Sequence, residues 1–459
     1  MSKNNGGFGF SFGRDDDDEE KNNNQNSPFD FLFGMGGGNG SNNAGDMNNI
    51  FGAGLSDVVN QFGEMLFGGG KDFSMGTAKE MALQALSPYE EPMPRDADTV
   101  VRDSVYMSEL WLNDATVLDA TNGLPTAISP RTYIEEFQDK WERLTTPVWD
   151  GAKEAKVSNL PEMPNIPGMP QIGAANVQIG GFAAMGFTTQ FSQAWATFAT
   201  NTLSLSDYGL PFATPGRIIA MPGNFDRIRM GTQLNREEGL FYVAAREAAT
   251  QRLFAAAPWL EENIFSAWKE TMSNLYIDGS GLHDALMNAM NNQEGEQSFT
   301  PGPFEVPLEM VFQPSNAEAA QRLLHLLTMV EAWVNVVVDN ALRGRVKSLD
   351  EIKAAWERRA KSGGELTNVI KALFNVNMPS ADVAAAEQLW QRIDTAVGQE
   401  RRDHLWDHPE FLPSYDDISN SAPFIDSLLD ESSFDPIAEI NNLLQQGDTG
   451  HPESEEDQD

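Results

Sequence analysis

From about Ser74 to Phe424 the apolar residues recur at intervals of three and four, and strand-like alternation is scarce. That periodicity restricts the body of the chain to packed amphipathic and buried helices. Helical patterns run over about 236–256, 258–277, 316–343, 348–362 and 380–398. Earlier, Asp96 or Asp98 caps a helix through Val101, Val105 and Leu112, and Ser129-Pro130 opens another through Tyr133, Phe137 and Trp141. The best short strand is Arg217–Met221. Residues 151–172 carry Pro161, Pro164, Pro167 and Pro170 and read as an extended loop. A polar turn follows the Gly/Ala/Phe-rich segment at Ser204–Pro211. The expected fold is mostly α.

The ends differ in kind. Residues 1–74 are rich in Gly, Asn, Asp and Phe, and residues 429–459 are acidic, so both are expected to be disordered tails flanking a domain over 75–428. Within the first tail, Leu55, Val58, Val59, Phe62 and Leu66 share one helical stripe, which suits a docking helix over 55–67 and hence a protein or peptide partner.

Composition removes several classes of function. The net charge of −37 argues against sequence-independent binding to nucleic acid or anionic membrane. There is no cysteine, so disulfides, thiolate metal sites and cysteine nucleophiles are excluded, and a cytoplasmic setting is expected. No secretory signal pattern stands at the start, where the acidic run Asp15–Glu20 replaces an apolar core. Membrane insertion is not expected: the most apolar stretch, Ile179–Ala199, is interrupted by Gln190, Ser192 and Gln193 and suits a buried helix better. No P-loop, dinucleotide fingerprint or G-x-S-x-G elbow is present.

Two helical patterns carry charges where apolar residues are expected. On 236–256, Leu240, Val243, Glu247, Thr250 and Phe254 occupy one narrow sector, with Arg246 at its edge. On 316–343, Glu331 stands alone in a stripe of Leu324, Leu327, Val334 and Val338, beside Asn335. Buried charges are costly unless paired, so an ion pair of Arg246 with Glu331 or Glu247 is one reading and a reactive site the other.

The stretch YVAAREAATQRLFAAAPWL (Tyr242–Leu260) resembles the metal-helix segment of the actinobacterial zincin-like, zinc-dependent metalloprotease and hydrolase family. Further segments resemble that family in the same order: Ser108–Thr116, Leu205–Phe212, Met329–Asp339 and Arg401–Ile418. The resemblance covers roughly residues 75–425 and implies one large zincin-like helical domain. In the family's active members H-E-x-x-H supplies two zinc ligands and a general base. Here the same positions read Arg246-Glu247-Ala248-Ala249-Thr250. The resemblance thus puts the family's general base at Glu247 and its metal ligands at Arg246, Thr250 and, as the third, Glu331. Ala332 and Asn335 replace a Gly and an Asp of the second segment. A permanently charged guanidinium repels zinc and a neutral threonine hydroxyl binds it poorly, so no metal or other cofactor is expected.

Of the five histidines, His404 and His408 lie near a helix end before Pro409, and His325 is well around its helix from Glu331. Structural roles are expected for all three. The tryptophans Trp195, Trp259, Trp268, Trp333, Trp356 and Trp390 fall in helical patterns and are expected in the core. The expected function is a family member that has lost its metal site and serves as a binding or regulatory scaffold. The alternatives are a hydrolase using Glu247 as base, and an adaptor acting through its N-terminal tail.

Overall fold

In a computed structural model the described residues are 73–89, 91–154, 156–158, 180–212, 214, 216–273, 275–278, 312–314, 316–361 and 380–430. Apart from residues 73–74 and 429–430, the two expected tails lie outside them, as do the segment 55–67, His283, His451 and most of the expected loop 151–172.

The described residues include thirteen α-helices, three short 3₁₀ helices and five short strands. The first helices are α1 (Met75–Leu86) and α2 (Ala97–Leu112), followed by strand β1 (Leu124–Ala127). Next come α3 (Pro130–Glu136), α4 (Gln138–Glu154), β2 (Lys156–Ser158), α5 (Gly180–Asn201), β3 (Arg217–Ala220) and α6 (Pro222–Ile228). The site-bearing helices are α7 (Arg236–Ala256), α8 (Pro258–Met272) and, after β4 (Leu275–Asp278) and β5 (Phe312–Pro314), α9 (Ala317–Leu342). Last are α10 (Leu349–Lys361), α11 (Ser380–His404), α12 (Tyr415–Ser419) and α13 (Ala422–Leu429).

Asp96 stands at the N-cap of α2 without a side-chain cap hydrogen bond, whereas other caps follow the local chemistry. Ser129 accepts a hydrogen bond from the Thr132 amide and starts α3 with Pro130 at its first position. The run expected to continue through Trp141 breaks at Phe137, whose φ of −109° and ψ of 26° are not helical, and α4 starts after it. Asn235 caps α7 by accepting from the Glu238 amide, and Glu237 and Glu238 place negative charge against the positive helix end. The pattern over 258–277 is helical only to Met272; Leu275–Asp278 is strand. Conversely, α11 extends past 398 to His404, with a kink at Gly398, whose φ of +81° a side-chain-bearing residue rarely adopts. The C-terminal apolar residues beyond Phe424 form α13, which buries Leu428.

The strands pair across long stretches of chain. β1 runs parallel to β3, with Leu124 opposite Arg217, and β4 lies between parallel β2 and antiparallel β5.

At the centre, α7 packs against α2 and α9, and α9 in turn packs against α8 and α11. From Gly239 to Phe254, α7 exposes only Phe241 to an intermediate degree and buries every other residue. This all-round burial is that of a core helix. Gly239 permits close approach of α6: a β-carbon there would meet Phe225 Cζ at 2.0 Å. Trp195, Trp268, Trp333 and Trp390 are core residues as expected, whereas Trp259 and Trp356 are only partly buried. No described helix is long and apolar enough to cross a membrane.

Candidate functional site

The contact between α7 and α9 brings Arg246 to Glu331. The Arg246 guanidinium donates to Glu331 Oε1 at 2.6 Å and also to Asn335 Oδ1. Asn335 passes the network on to α11 by donating to Glu387 Oε1 at 2.6 Å. Over the guanidinium lie two aromatic faces, the Trp356 ring at 4.8 Å and the Tyr242 ring at 5.8 Å. Such stacking suits a planar, weakly hydrated cation. Burial disfavours the arginine's charge most strongly of all influences, but Glu331, Tyr242 and Asp207 outweigh it and raise its pKa above the ordinary value. Arg246 is therefore a fixed cation, 6% exposed. Glu387, in turn, is shifted upward by burial, against the Asn335 hydrogen bond and Lys353.

Glu247, the next residue along the helix, faces away from this pair. Its carboxylate accepts from the Ser206 amide at 2.9 Å, the Ser206 hydroxyl at 3.3 Å and Gln251 Nε2 at 2.8 Å. It is fully buried. Burial pushes its pKa up to about 7 against those hydrogen bonds, with Asp207 adding to the rise. Gln251 lies one turn along α7, and Ser206 comes from the turn at Ser204–Pro211, whose Asp207 accepts from the Leu203 amide at 2.9 Å and from Arg359 at 2.7 Å. Of the two carboxylates open to Arg246 by periodicity, Glu331 is thus the partner and Glu247 belongs to the turn.

Thr250 donates its hydroxyl to the Arg246 carbonyl at 2.9 Å, the common back-bond of a buried helical threonine. His325 Nε2 lies 2.9 Å from the Pro413 carbonyl oxygen, and burial lowers its pKa. His404 contacts Asp407 at 2.8 Å at the end of α11, and His408 Nδ1 accepts from the Glu410 amide. None of the three joins Arg246, Glu247, Thr250 and Glu331.

A zinc ion does not fit these residues. The first ligand position is a cation, the second is a hydroxyl satisfied by its own helix, and the third is a carboxylate already paired with that cation. Among the described residues, no group of three His, Cys, Asp or Glu could hold a metal.

The residues that sequence reasoning missed are the partners: Ser206, Gln251, Trp356, Glu387 and the Asp207–Arg359 pair. Asp207 lies in a segment already singled out, but nothing local couples it to Arg359, 152 residues away. Two further buried networks link the segments that carry the family resemblance. Arg252 of α7 donates to Glu109 Oε2 at 2.8 Å and to Asn113 at 2.8 Å. Asp403 of α11 accepts from Arg402 at 2.8 Å, Thr116 Oγ1 at 2.6 Å and Trp333 Nε1 at 3.0 Å.

No curated protein matches the chain. Among solved structures, a candidate hydrolase with a novel fold from Chloroflexus aurantiacus superposes with a TM-score of 0.53 at 15% identity, covering 78% of this chain and 99% of that one. That likeness is one of fold. The model of the zincin-like metallopeptidases matches residues 74–425, the whole span that carries the site, and the chain belongs to that family.

Proposed function

We propose that this chain is a metal-free member of its family that keeps the fold as a scaffold for binding or regulating a protein or peptide partner. The observation behind this reading is the Arg246–Glu331 ion pair, 2.6 Å long and held between α7 and α9. It puts a permanent positive charge where the family resemblance calls for a zinc ligand, and it occupies the third candidate ligand. The cysteine-free composition suits a cytoplasmic setting for such a scaffold.

The test is elemental analysis of the purified chain after incubation with excess zinc and desalting. Far less than one zinc per chain is expected, with no hydrolysis of a mixed peptide library. One tightly held zinc per chain would overturn the proposal. Deleting residues 1–74 then separates scaffold from adaptor: a scaffold body keeps its partner, whereas an adaptor acting through its tail loses it.

A second reading keeps hydrolysis, with Glu247 as general base. Its favouring observation is the pKa of about 7, which suits proton transfer near neutral pH. Against it stand the full burial of the carboxylate and its three hydrogen bonds to Ser206 and Gln251. Peptide hydrolysis that disappears in Glu247→Gln while the fold is kept would establish this second reading.

A further inference from the structure

Helix α10 rests on the face of α7 that carries Arg246, and the character of its contacts changes along its length. At its start, Glu238 of α7 accepts hydrogen bonds from the Ser348 amide at 2.8 Å and from the Ser348 hydroxyl. Ser348 and Lys347 hold the Glu238 carboxyl below its usual range. Leu349 and Ile352 follow as buried aliphatic anchors, each 3% exposed. Beyond Ile352 the inward positions, at helical spacing, are Lys353, Trp356 and Arg359, and none is fully buried. Lys353 pairs with Asp339 of α9 at 2.6 Å. The Trp356 ring is flanked by Arg246 at 4.8 Å and Arg359 at 5.0 Å, and it meets the Tyr242 ring edge-on at 5.3 Å. Arg359 donates to Asp207 at 2.7 Å and to the Asn201 carbonyl at 2.8 Å.

The first third of α10 is thus fixed by aliphatic burial, and the rest by charge and aromatic contact. This asymmetry is that of a hinge and a latch. Aliphatic burial is lost only when the anchors leave the core. The Lys353–Asp339 pair and the Trp356 stack are part-exposed and contribute modestly, Arg359 closing on the buried Asp207 is the firmest point of the latch, and a 13-residue helix has little stability of its own once its partners are gone. Gly344, with a φ of +79°, turns the chain just before the anchored end.

We infer that α10 is a hinged cover over the Arg246–Glu331 site, anchored at Leu349 and Ile352 and latched by Arg359–Asp207, Lys353–Asp339 and the Arg246–Trp356–Arg359 stack. Opening at the latched end uncovers Arg246 and Tyr242 and releases Asp207, the neighbour of the serine that holds Glu247. The device regulates access to the same site as the proposed scaffold function. It rests on the contacts of α10 alone, so zinc analysis and the experiment below fail independently.

The test is hydrogen–deuterium exchange of the full chain read by mass spectrometry at several urea concentrations below the unfolding transition. Amides of residues 353–361 are expected to exchange at least about tenfold faster than those of α7 and α9, with a shallow urea dependence that marks local opening. Arg359→Gln and, separately, Lys353→Gln should quicken that exchange about fivefold further and leave α9 unchanged. Lys353→Gln carries the test should Arg359→Gln fail to fold. Because the chain has no cysteine, Thr250→Cys places a single thiol one turn beyond Arg246, and its reaction with a neutral maleimide should rise in the same two backgrounds. Exchange of α10 in concert with α7 and α9, at the same urea slope, would overturn the cover. So would variants that free α10 without changing the thiol's reactivity.

Discussion

An arginine held out of water between two helices is stabilising only while its partners remain. Arg246 has two polar partners, Glu331 and Asn335, and two aromatic faces, so removing the guanidinium strands a carboxylate in a site where its own exposure is small. Arg246→Ala should therefore lose about 3–5 kcal/mol of stability in urea titrations. The pair itself is a different matter, because desolvation offsets much of its attraction. Arg246→Met combined with Glu331→Leu should recover most of that loss, and a double-mutant cycle reads the difference as coupling. Glu247 makes the opposite kind of prediction. Burial raises its folded pKa to about 7, above the unfolded value near 4.5, so the native state binds the extra proton. Its contribution is favourable below the unfolded pKa and is lost as pH rises through about 7. Stability should fall between about pH 5 and pH 8 by up to roughly 3 kcal/mol from this group. Glu247→Gln should flatten that slope in thermal melts taken across the range. An unchanged slope in the variant would show that other groups set the pH dependence.

Between elements, fit rather than charge decides. Gly239 sits where α7 crosses α6, and an added β-carbon would overlap the Phe225 ring, a rigid neighbour that cannot bend away. Gly239→Ala should cost about 1–3 kcal/mol by chemical denaturation, although alanine is the better helix former by up to about 1 kcal/mol. Pairing it with Phe225→Leu should return part of the loss. Such a contact is invisible in the sequence, where Gly239 reads as a mild defect in a helix. What was legible is the set of elements whose pattern is long and periodic: Arg236–Ala256 and Ala317–Leu342 match the sequence pattern within one residue. The break at Phe137 was not legible, because Tyr133, Phe137 and Trp141 keep helical spacing across it and all three are buried. Of the three- and four-residue strands only Arg217–Ala220 was legible, as the expected strand Arg217–Met221; the partners of the others lie from under 40 to about 120 residues away, and no local pattern encodes their pairing. The site was half legible for the same reason. Helical phase puts Arg246 and Glu331 on faces that can meet, but the rotation of Glu247 toward Ser206 depends on where a turn 41 residues earlier comes to lie.

Across the molecule, the segments that carry the family likeness are joined by buried polar networks. Asp403 is one such junction. It is fully buried and takes hydrogen bonds from Arg402, the Thr116 hydroxyl, the Val117 amide and Trp333 Nε1, so one carboxylate ties the end of α11 to α9 and to the chain leaving α2. Arg402 extends the tie to Asp394 and to the Ala115 carbonyl. A carboxylate with this many donors stabilises the fold as a charged group, and no apolar replacement of similar volume satisfies four donors at once. Asp403→Ala should thus cost about 3–5 kcal/mol, because it leaves the Arg402 Nε–H, the Trp333 indole N–H and the Val117 amide without their buried acceptor, while Asp394 and the Ala115 carbonyl still hold the rest of the guanidinium. Asp403→Asn should cost less: it keeps two acceptor lone pairs on Oδ1 but turns two donors toward Thr116, Val117 or Arg402. The loss should also appear beyond the substituted residue. With the tie gone, α12 and α13, which follow α11 and pack on it, should become the first points of cleavage in limited proteolysis, ahead of α7 and α9. A variant cut at the same sites and rates as the parent, despite its lower stability, would show that the C-terminal helices are held by their apolar contacts alone.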